Sequence, residues 1–330
     1  MLGDVFIAYS IKTNSFQGVV EKLGALESGF DIASVDELAL VKRKKCLKIF
    51  NGPAKTMITL KKALGASCLI VVDSLSELEK IIALQSGKKT DIMARIALKE
   101  SKLGVDREGL KRFMALAASN NISIIGLHFH SGTQLSLTDF EKNFVGIYSF
   151  LKEFFRTYPH IHLKYLDLGG GFADRFYLKT IGGTLSNYFE TIRDSLGDLR
   201  EHYENFIFEP GRVLVSDAFC LITQVVAIKE NFDRRYAILD AGINLLPKIS
   251  LSHFNFSKYP ASKKNVALTL STKKREYFLA GPLLFGNDII GKFYGELVEG
   301  DLILIENVGA YCYNLAWEIS FEKPMIVVEK

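Results

Sequence analysis

A lysine, a glutamate and a histidine each stand beside the end of a short apolar run of the sequence. Lys12 directly follows one such run, and a lysine whose stem is desolvated can hold the neutral amine that attacks a carbonyl carbon. Glu209 precedes a proline at the end of another run, where a carboxylate needs a positive or proton-donating partner. His130 follows a third run, where its flat ring can stack on a second ring. These residue types are suited to imine formation and acid–base chemistry.

Two of the apolar runs, one of them the run that ends at Glu209, are followed by residues with the composition of an anion site. Gly169, Gly170 and Gly171 follow one apolar run, and three glycines let backbone N–H groups approach a phosphate closely. Gly211 and Arg212 follow the next run, and the guanidinium would add a second ligand to the anion. The glycines alone are also compatible with a tight turn.

Each of these residues has an ordinary structural interpretation as well. Lys12 can point to water, Glu209 can form a structural ion pair with Arg212, and His130 can be a hydrogen-bonded core histidine. The combination is more specific than any member. An amine, a phosphate cradle, an acid for a ring nitrogen and a stacking ring are the contacts that pyridoxal 5'-phosphate requires. The residues therefore predict a pyridoxal-phosphate site, and no metal site.

Alternating short strands and amphipathic helices must position these groups. Most of the predicted strands are continuous apolar runs, as parallel strands buried on both faces require. Eight strand–helix repeats favour a closed (β/α)₈ barrel of the TIM type, with functional groups at the carboxyl ends of the strands. An open eight-stranded sheet fits the pattern too. The predicted strands are residues 6–11, 30–33, 47–51, 68–73, 91–96, 124–129, 165–168 and 206–209. The clearest predicted helices are 35–44, 74–85 and 138–155, with Asp36 and Ser74 as N-caps.

The pattern changes after about residue 216, where strand-like runs follow one another without helices between them. We therefore divide the chain into a barrel domain, residues 1–216, and a smaller antiparallel β domain, residues 217–330. The predicted strands of the second domain are residues 219–229, 236–239, 267–270, 277–280, 302–306 and 325–328.

Composition excludes several classes of partner. The net charge is +4, and the longest basic run, residues 42–45, is expected to be a solvated helix end and not a nucleic-acid patch. The four cysteines show no paired spacing, which indicates neither a disulfide framework nor a zinc site. We find no apolar stretch of membrane-spanning length and no signal-peptide pattern, so we expect a cytoplasmic protein that binds no membrane.

Ordered motifs through the chain resemble those of one family, the fold-type III pyridoxal-phosphate-dependent decarboxylases that act on ornithine, arginine and diaminopimelate. Residues 309–311, Gly-Ala-Tyr, resemble a segment near the cofactor phosphate of the family. Five earlier motifs resemble Y-A-V-K-x-N (residues 9–14), G-F-D-C-A-S (29–34), H-x-H-x-G-S-Q (128–134), D-x-G-G-G-F (167–172) and E-P-G-R (209–212).

The resemblance implies the alanine racemase-like fold and a role for each matched residue. Lys12 would form the Schiff base with the cofactor, Glu209 would hold the pyridine nitrogen protonated, and His130 would stack on the ring. Asp31 and Arg95 would lie close to the cofactor. The phosphate would be held by Gly169, Gly170, Gly171, Gly211, Arg212, Thr133 and Tyr311. The family also implies a homodimer, in which each active site is completed by the β domain of the partner.

The sequence departs from the family where the substrate is recognised. The family has G-P-x-C-[DE]-x-x-D, whereas here Leu284 replaces the cysteine, Phe285 replaces the acid and Asp288 remains. Leucine and phenylalanine neither donate a proton nor bind a cation. We therefore name Asp288 and Cys312 as candidate catalytic residues, with buried packing as the alternative for Cys312. Residues 240–244 are similar to the D-A-G-M-N of diaminopimelate enzymes, but the arginine that follows it is absent.

These observations predict a decarboxylase acting on a small molecule, an amino acid or an amino-acid-derived carboxylate, with Lys12, His130, Asp288 and Cys312 in catalytic roles. The altered segment suggests a larger substrate, such as a carboxylated intermediate of siderophore or antibiotic synthesis. Three alternatives remain. They are an amino-acid racemase of the same fold, a catalytically inactive homologue that binds the cofactor, and a barrel enzyme that binds another phosphate ligand.

Overall fold

The computed structural model describes residues 5–41, 45–85, 87, 89–259 and 275–328. The chain forms two compact units, Met1–Val213 and Leu214–Lys330, which we call the barrel unit and the β unit. Among the described residues, no helix is both long enough and apolar enough to cross a lipid bilayer.

Eight parallel strands close into a barrel within the described part of the barrel unit. Each strand pairs with the next, and β8 pairs back onto β1 through Ile7 and Phe208, which confirms the predicted (β/α)₈ architecture. The strands are β1 Val5–Ser10, β2 Gly29–Ile32, β3 Lys48–Phe50, β4 Leu69–Val72, β5 Thr90–Arg95, β6 Ile122–His128, β7 Leu163–Asp167 and β8 Tyr203–Phe208.

Apolar side chains from five of the strands fill part of the barrel core. Branched and other apolar residues at buried positions of this kind make such a barrel a packed core and not a pore. The cluster consists of Ala8, Ile49, Val71, Met93 and Ile207, each completely buried. The active groups are therefore confined to the rim and not to the centre.

Helices connect the strands, and polar caps determine where several of them start. Ser74 caps α4 by accepting a hydrogen bond from the Glu77 backbone N–H, as predicted. The predicted cap Asp36 is wrong, because the Ser34 hydroxyl accepts from the Glu37 backbone N–H at 3.1 Å and Asp36 lies in the first turn. The barrel-unit helices are α1 Gln17–Ala25, α2 Val35–Val41, α3 Met57–Gly65, α4 Leu75–Leu84, α5 Arg107–Ala118, α6 Leu137–Thr157, α7 Arg175–Thr180 and α8 Leu185–Leu196. The short helix α9 is Arg212–Val215. Residues 42–44, which we predicted as helix and basic run, lie outside the described residues.

The described part of the β unit contains a six-stranded sheet in the order β11-β14-β9-β10-β12-β13. It packs an apolar core that includes Val225, Leu239, Tyr277 and Ile303. The strands are β9 Leu221–Asn231, β10 Arg234–Leu239, β11 Asn255–Lys258, β12 Arg275–Ala280, β13 Ile289–Gly295 and β14 Leu302–Glu306, and the short helix α10 is Cys312–Leu315.

Three details of the β unit differ from the prediction. The sheet is mixed, because β10 and β12 pair in parallel while its other pairs are antiparallel. The chain between these two strands is long enough for the crossover that a parallel pair needs. Residues 325–328 form no strand, and their side chains are exposed. The predicted strand 267–270 lies outside the described residues, and the polar strand β11 and half-exposed β13 were missed.

Candidate active site at the carboxyl ends of the barrel strands

Lys12 lies in a single helical turn, Ile11–Thr13, directly after β1. Its Nζ is 2.6 Å from Asp31 Oδ2, and the same oxygen accepts a hydrogen bond of 2.6 Å from Ser10 Oγ. The lysine side chain is 43% exposed and the aspartate side chain 1% exposed. The ammonium group is therefore accessible at the barrel mouth, and the carboxylate that holds it is buried. The structure thus brings together two of the predicted residues, one from β1 and one from β2.

Arg95 is nearly buried at the end of β5 and is held by two side chains that follow neighbouring strands. Its Nη1 donates to Asn51 Oδ1 at 3.2 Å, and its Nε lies 3.9 Å from Asp73 Oδ1. Asn51 and Asp73 follow β3 and β4, and our sequence analysis assigned neither of them a role. The signal was available, because each is a polar residue at the last position of a predicted strand.

Glu209 follows β8 and is 3% exposed, next to the fully buried His128. The distance from His128 Nε2 to Glu209 Oε2 is 3.2 Å. Burial lowers the pKa of His128 well below its usual value of 6.5, and the charge of Arg95 lowers it further. The imidazole is therefore neutral at pH 7, and the pair is a hydrogen bond and not an ion pair. His128 is the first residue of the H-x-H-x-G-S-Q motif, but the sequence alone assigned it no function.

His130 stands two residues after His128, at the barrel mouth. The residue is exposed at its edge, but desolvation of the imidazole by neighbouring residues lowers its pKa to about 4, with the charge of Lys12 as the second cause. A neutral ring next to an ammonium group is available for stacking and does not repel Lys12.

Two glycines permit the close approach of the loops at the mouth. Gly169 has a left-handed φ of +65°, and a Cβ there would lie 2.5 Å from the Phe129 carbonyl oxygen and 2.9 Å from His130 Nδ1. A side chain at Gly211 would collide with Thr13 Oγ1. Only glycine fits at these two positions, so the backbone, and not side chains, borders this part of the mouth.

The loop after β6 is tied to the loop after β7. Gln134 accepts from the Asp174 backbone N–H at 3.0 Å and donates to the Asp174 carboxylate, which in turn caps α7. The Leu135 N–H also donates to the Gly171 carbonyl oxygen at 3.1 Å. These bonds hold the glycine turn beside the loop that carries Thr133, which is exposed. The remaining predicted residues at this end are Gly170, which is buried, and Arg212, which is 5% exposed.

Three predicted residues belong to the β unit. Tyr311 has a left-handed backbone, with φ of 66°, at the start of α10. Cys312 packs in the apolar core of that unit, as the packing interpretation expects, and its catalytic role stays a prediction. Asp288 is 2% exposed and accepts hydrogen bonds from the backbone N–H groups of Ile243 and Leu283, at 2.8 and 2.9 Å. These contacts give Asp288 a function in holding two loops of the β unit together.

Comparison with known proteins identifies the family to which this arrangement corresponds. The model of the family described as "Pyridoxal-dependent decarboxylase, pyridoxal binding domain" matches residues 1–216. The chain belongs to this family. It is therefore a pyridoxal-phosphate-dependent decarboxylase, and both the predicted cofactor and the predicted enzyme class are confirmed.

Relatives and solved structures that are similar to this decarboxylase belong to the same group of enzymes. Diaminopimelate decarboxylase of Vibrio cholerae is 30% identical over 337 residues, which cover 94% of this chain and 77% of the relative. A diaminopimelate decarboxylase from M. jannaschi has a TM-score of 0.82 and 25% identity, covering 95% of this chain and 77% of that one. The Helicobacter pylori enzyme complexed with L-lysine has a TM-score of 0.80 and 27% identity, covering 96% and 82%.

The residues at the mouth of this decarboxylase fit the cofactor of its family. Glu209 Oε1 and Asp31 Oδ1 are buried acceptors without a hydrogen-bond donor among the described residues. A buried acceptor of this kind is costly unless a ligand or water satisfies it. Lys12 supplies an amine at the same end, and the glycine turn after β7 supplies approachable backbone.

Proposed function

We propose that this chain decarboxylates an α-amino acid of the diaminopimelate type, with Lys12 as the residue that binds the cofactor covalently. The observation that supports this most strongly is the 2.6 Å contact between Lys12 Nζ and the buried Asp31 carboxylate at the barrel mouth. An amine whose nitrogen is held at one position by a buried acid is what a covalent cofactor requires.

Several of the predicted residues then have a definite role in binding the cofactor. Glu209 would hold a proton on the pyridine nitrogen, and the neutral ring of His130 would stack against the cofactor. Backbone N–H groups of the turn at residues 169–171 and the guanidinium of Arg212 would hold the phosphate. Thr133 and, from the β unit, Tyr311 are proposed as further phosphate ligands.

When bound, pyridoxal phosphate accepts electron density from the substrate α-carbon, which weakens the bond to the α-carboxylate. The chain contributes position and charge. Asp31 orients the Lys12 amine, and the Ser10 hydroxyl donates to the same Asp31 oxygen and so holds the carboxylate in place. With its proton on Nε2, His128 donates to Glu209 Oε2 and so keeps that carboxylate directed at one place.

Two observations bear on the identity of the far end of the substrate. The names of the relatives favour diaminopimelate. Leu284, which is fully exposed, and Phe285, which is 45% exposed, replace the polar pair of the family. This observation favours a second candidate, a larger amino acid whose far end is apolar or is read by other groups, as in siderophore or antibiotic synthesis.

Carbon dioxide release from a substrate panel tests the proposal. The panel contains diaminopimelate, lysine, ornithine, arginine and amino acids with larger carboxylated far ends. We expect the wild-type chain to release carbon dioxide from diaminopimelate. Lys12→Ala should lose roughly 10³-fold or more of this activity. The control variant Lys111→Ala, at an exposed lysine, should keep the wild-type activity.

The other outcomes separate the alternatives. Release from a larger amino acid and not from diaminopimelate supports the second candidate. Exchange of the α-hydrogen without carbon dioxide release supports the racemase, although Glu209 stands where the resemblance places an arginine in racemases. Cofactor binding with neither reaction supports the inactive homologue. Full activity of Lys12→Ala contradicts the proposal.

A further inference from the structure

Two buried carboxyl groups lie side by side beneath the mouth of the barrel. Asp167, at the end of β7, is completely buried, and Glu209, after β8, is 3% exposed. Together with His128, each offers one nitrogen or oxygen atom, and these three atoms all lie within 4.8 Å of one another. Neighbouring ionised carboxylates in such a place repel strongly, so at most one of them keeps its charge at neutral pH.

The hydrogen bonds show which oxygens are satisfied. Asp167 Oδ1 accepts from the Gly169 backbone N–H at 2.9 Å, and Glu209 Oε2 faces His128 Nε2 at 3.2 Å. The other two oxygens, Asp167 Oδ2 and Glu209 Oε1, have no donor among the described residues, and both are buried. One proton placed between them would satisfy both atoms, because it turns one carboxyl group into a donor.

The tautomer of His128 decides how well Glu209 can remain ionised. Asn51 Oδ1 accepts from Arg95 Nη1 and from the Gly52 N–H, so its amide nitrogen faces His128 Nε2 at 3.2 Å. A proton on Nε2 instead makes a charge-assisted hydrogen bond to Glu209, which is stronger than the neutral bond to Asn51. The Nε2–H tautomer therefore stabilises Glu209 as a carboxylate, whereas Asp167 has a single backbone donor.

Burial favours the same distribution of charge. It raises the pKa of Asp167 well above its usual value of 3.8, and the charge of Glu209 raises it further. The Gly169 N–H acts in the opposite direction but is the smaller effect.

We propose that Asp167 is protonated at neutral pH and donates a hydrogen bond to Glu209, which makes it a positioning residue for the carboxylate at the pyridine nitrogen. The contact between Glu209 and the pyridine nitrogen rests on the proposed function. The proton between Asp167 and Glu209 is a property of the chain alone. Each carboxylate oxygen accepts two hydrogen bonds, so Glu209 can bind Asp167, His128 and a ligand together.

Two substitutions at Asp167 distinguish a proton donor from a negative charge. In Asp167→Asn, the amide oxygen still accepts from Gly169 and the amide nitrogen donates to Glu209. Asp167→Ala removes the donor. We expect the asparagine variant to bind added pyridoxal phosphate within about threefold of wild type, and the alanine variant to bind it about tenfold or more weakly. Equal losses in the two variants, or no loss in alanine, would overturn the proposal.

Difference infrared spectroscopy on the chain without cofactor tests the proton directly. We expect the carbonyl stretching band of a buried protonated carboxylic acid at pH 7, and its disappearance in Asp167→Asn. Absence of that band from the wild-type chain would overturn the proposal even if the alanine variant fails to fold. A wild-type chain that shows the band but does not bind pyridoxal phosphate would refute the proposed function and leave the proton assignment intact.

Discussion

His128 is completely buried and neutral, and this state makes the folded chain sensitive to acid. Its pKa lies well below 6.5 in the folded protein, chiefly because of burial. The unfolded chain therefore binds one more proton than the folded chain once the pH falls below about 6.5. Stability is lost progressively as the pH decreases from that value towards the folded pKa.

Replacement of His128 by glutamine should remove the loss of stability that His128 causes at low pH, while keeping a hydrogen-bond donor for Glu209. We expect the free energy of unfolding of wild type to fall more steeply below pH 6.5 than that of His128→Gln, by up to about 1.4 kcal/mol per pH unit. Urea titrations of the chain without cofactor at several pH values measure both slopes. Identical slopes would show that the folded chain binds a proton on His128.

Some residues at the strand ends could be assigned a role from the sequence, and others could not. Lys12, His130, Glu209 and the glycine turn were predicted as site residues because their residue types suit a particular chemistry, and the structure places them at the ends of barrel strands. Asn51 and Asp167 were not assigned roles, although Asn51 is the last residue of one predicted strand and Asp167 the last but one of another. Their functions depend on which neighbouring side chain they face, and that follows from barrel closure and not from residue type.

At the scale of elements, a buried ion pair joins the loop after β3 to helix α4. Lys55 Nζ lies 2.7 Å from Glu77 Oε1, and the two side chains are 2% and 3% exposed. Lys55 also donates to the carbonyl oxygens of Gly52 and Val71, at 2.5 and 2.8 Å. Burial lowers the pKa of Lys55 and raises that of Glu77, so each charge depends on its partner.

Breaking this pair should cost more than replacing it. We expect Lys55→Met to lower the free energy of unfolding by about 3–5 kcal/mol, because the Glu77 charge is left buried without its partner. The double variant Lys55→Met/Glu77→Leu should lose less than either single variant. Denaturant unfolding of the three variants forms a double-mutant cycle, and additive losses would show that the two charges are independent.

Element existence was easier to predict than strand direction. The eight barrel strands were located from continuous apolar runs, which parallel strands buried on both faces must have. In the β unit, the parallel pairing of β10 with β12 was missed. An apolar run indicates burial but carries no information about its partner, and β11 is too polar to be recognised as a strand.

At the scale of the whole molecule, we propose a homodimer in which the β unit of one protomer completes the barrel site of the other. The resemblance implies this arrangement, in which the segment that contains Asp288 reaches the barrel site of the partner. A two-fold dimer contains two such composite sites.

Mixing of two inactive variants tests the composite site. Lys12→Ala and Asp288→Ala lie in different units, so a mixed dimer would contain one site with both defects and one intact site. If both variants are inactive alone, refolding them together should restore about a quarter of wild-type activity, because half of the dimers are mixed and each has one good site. Recovery of no activity, with dimers present by light scattering, would place both residues in the site of one chain.

The covalent attachment of the cofactor to Lys12 is the central claim, and borohydride trapping measures it most directly. We predict a near-visible absorption band in the purified chain after incubation with pyridoxal phosphate. Borohydride should bleach this band and leave a pyridoxyl group on the peptide that contains Lys12, as mapped by mass spectrometry. An adduct on a different lysine, or no band at any concentration of added cofactor, would contradict the account.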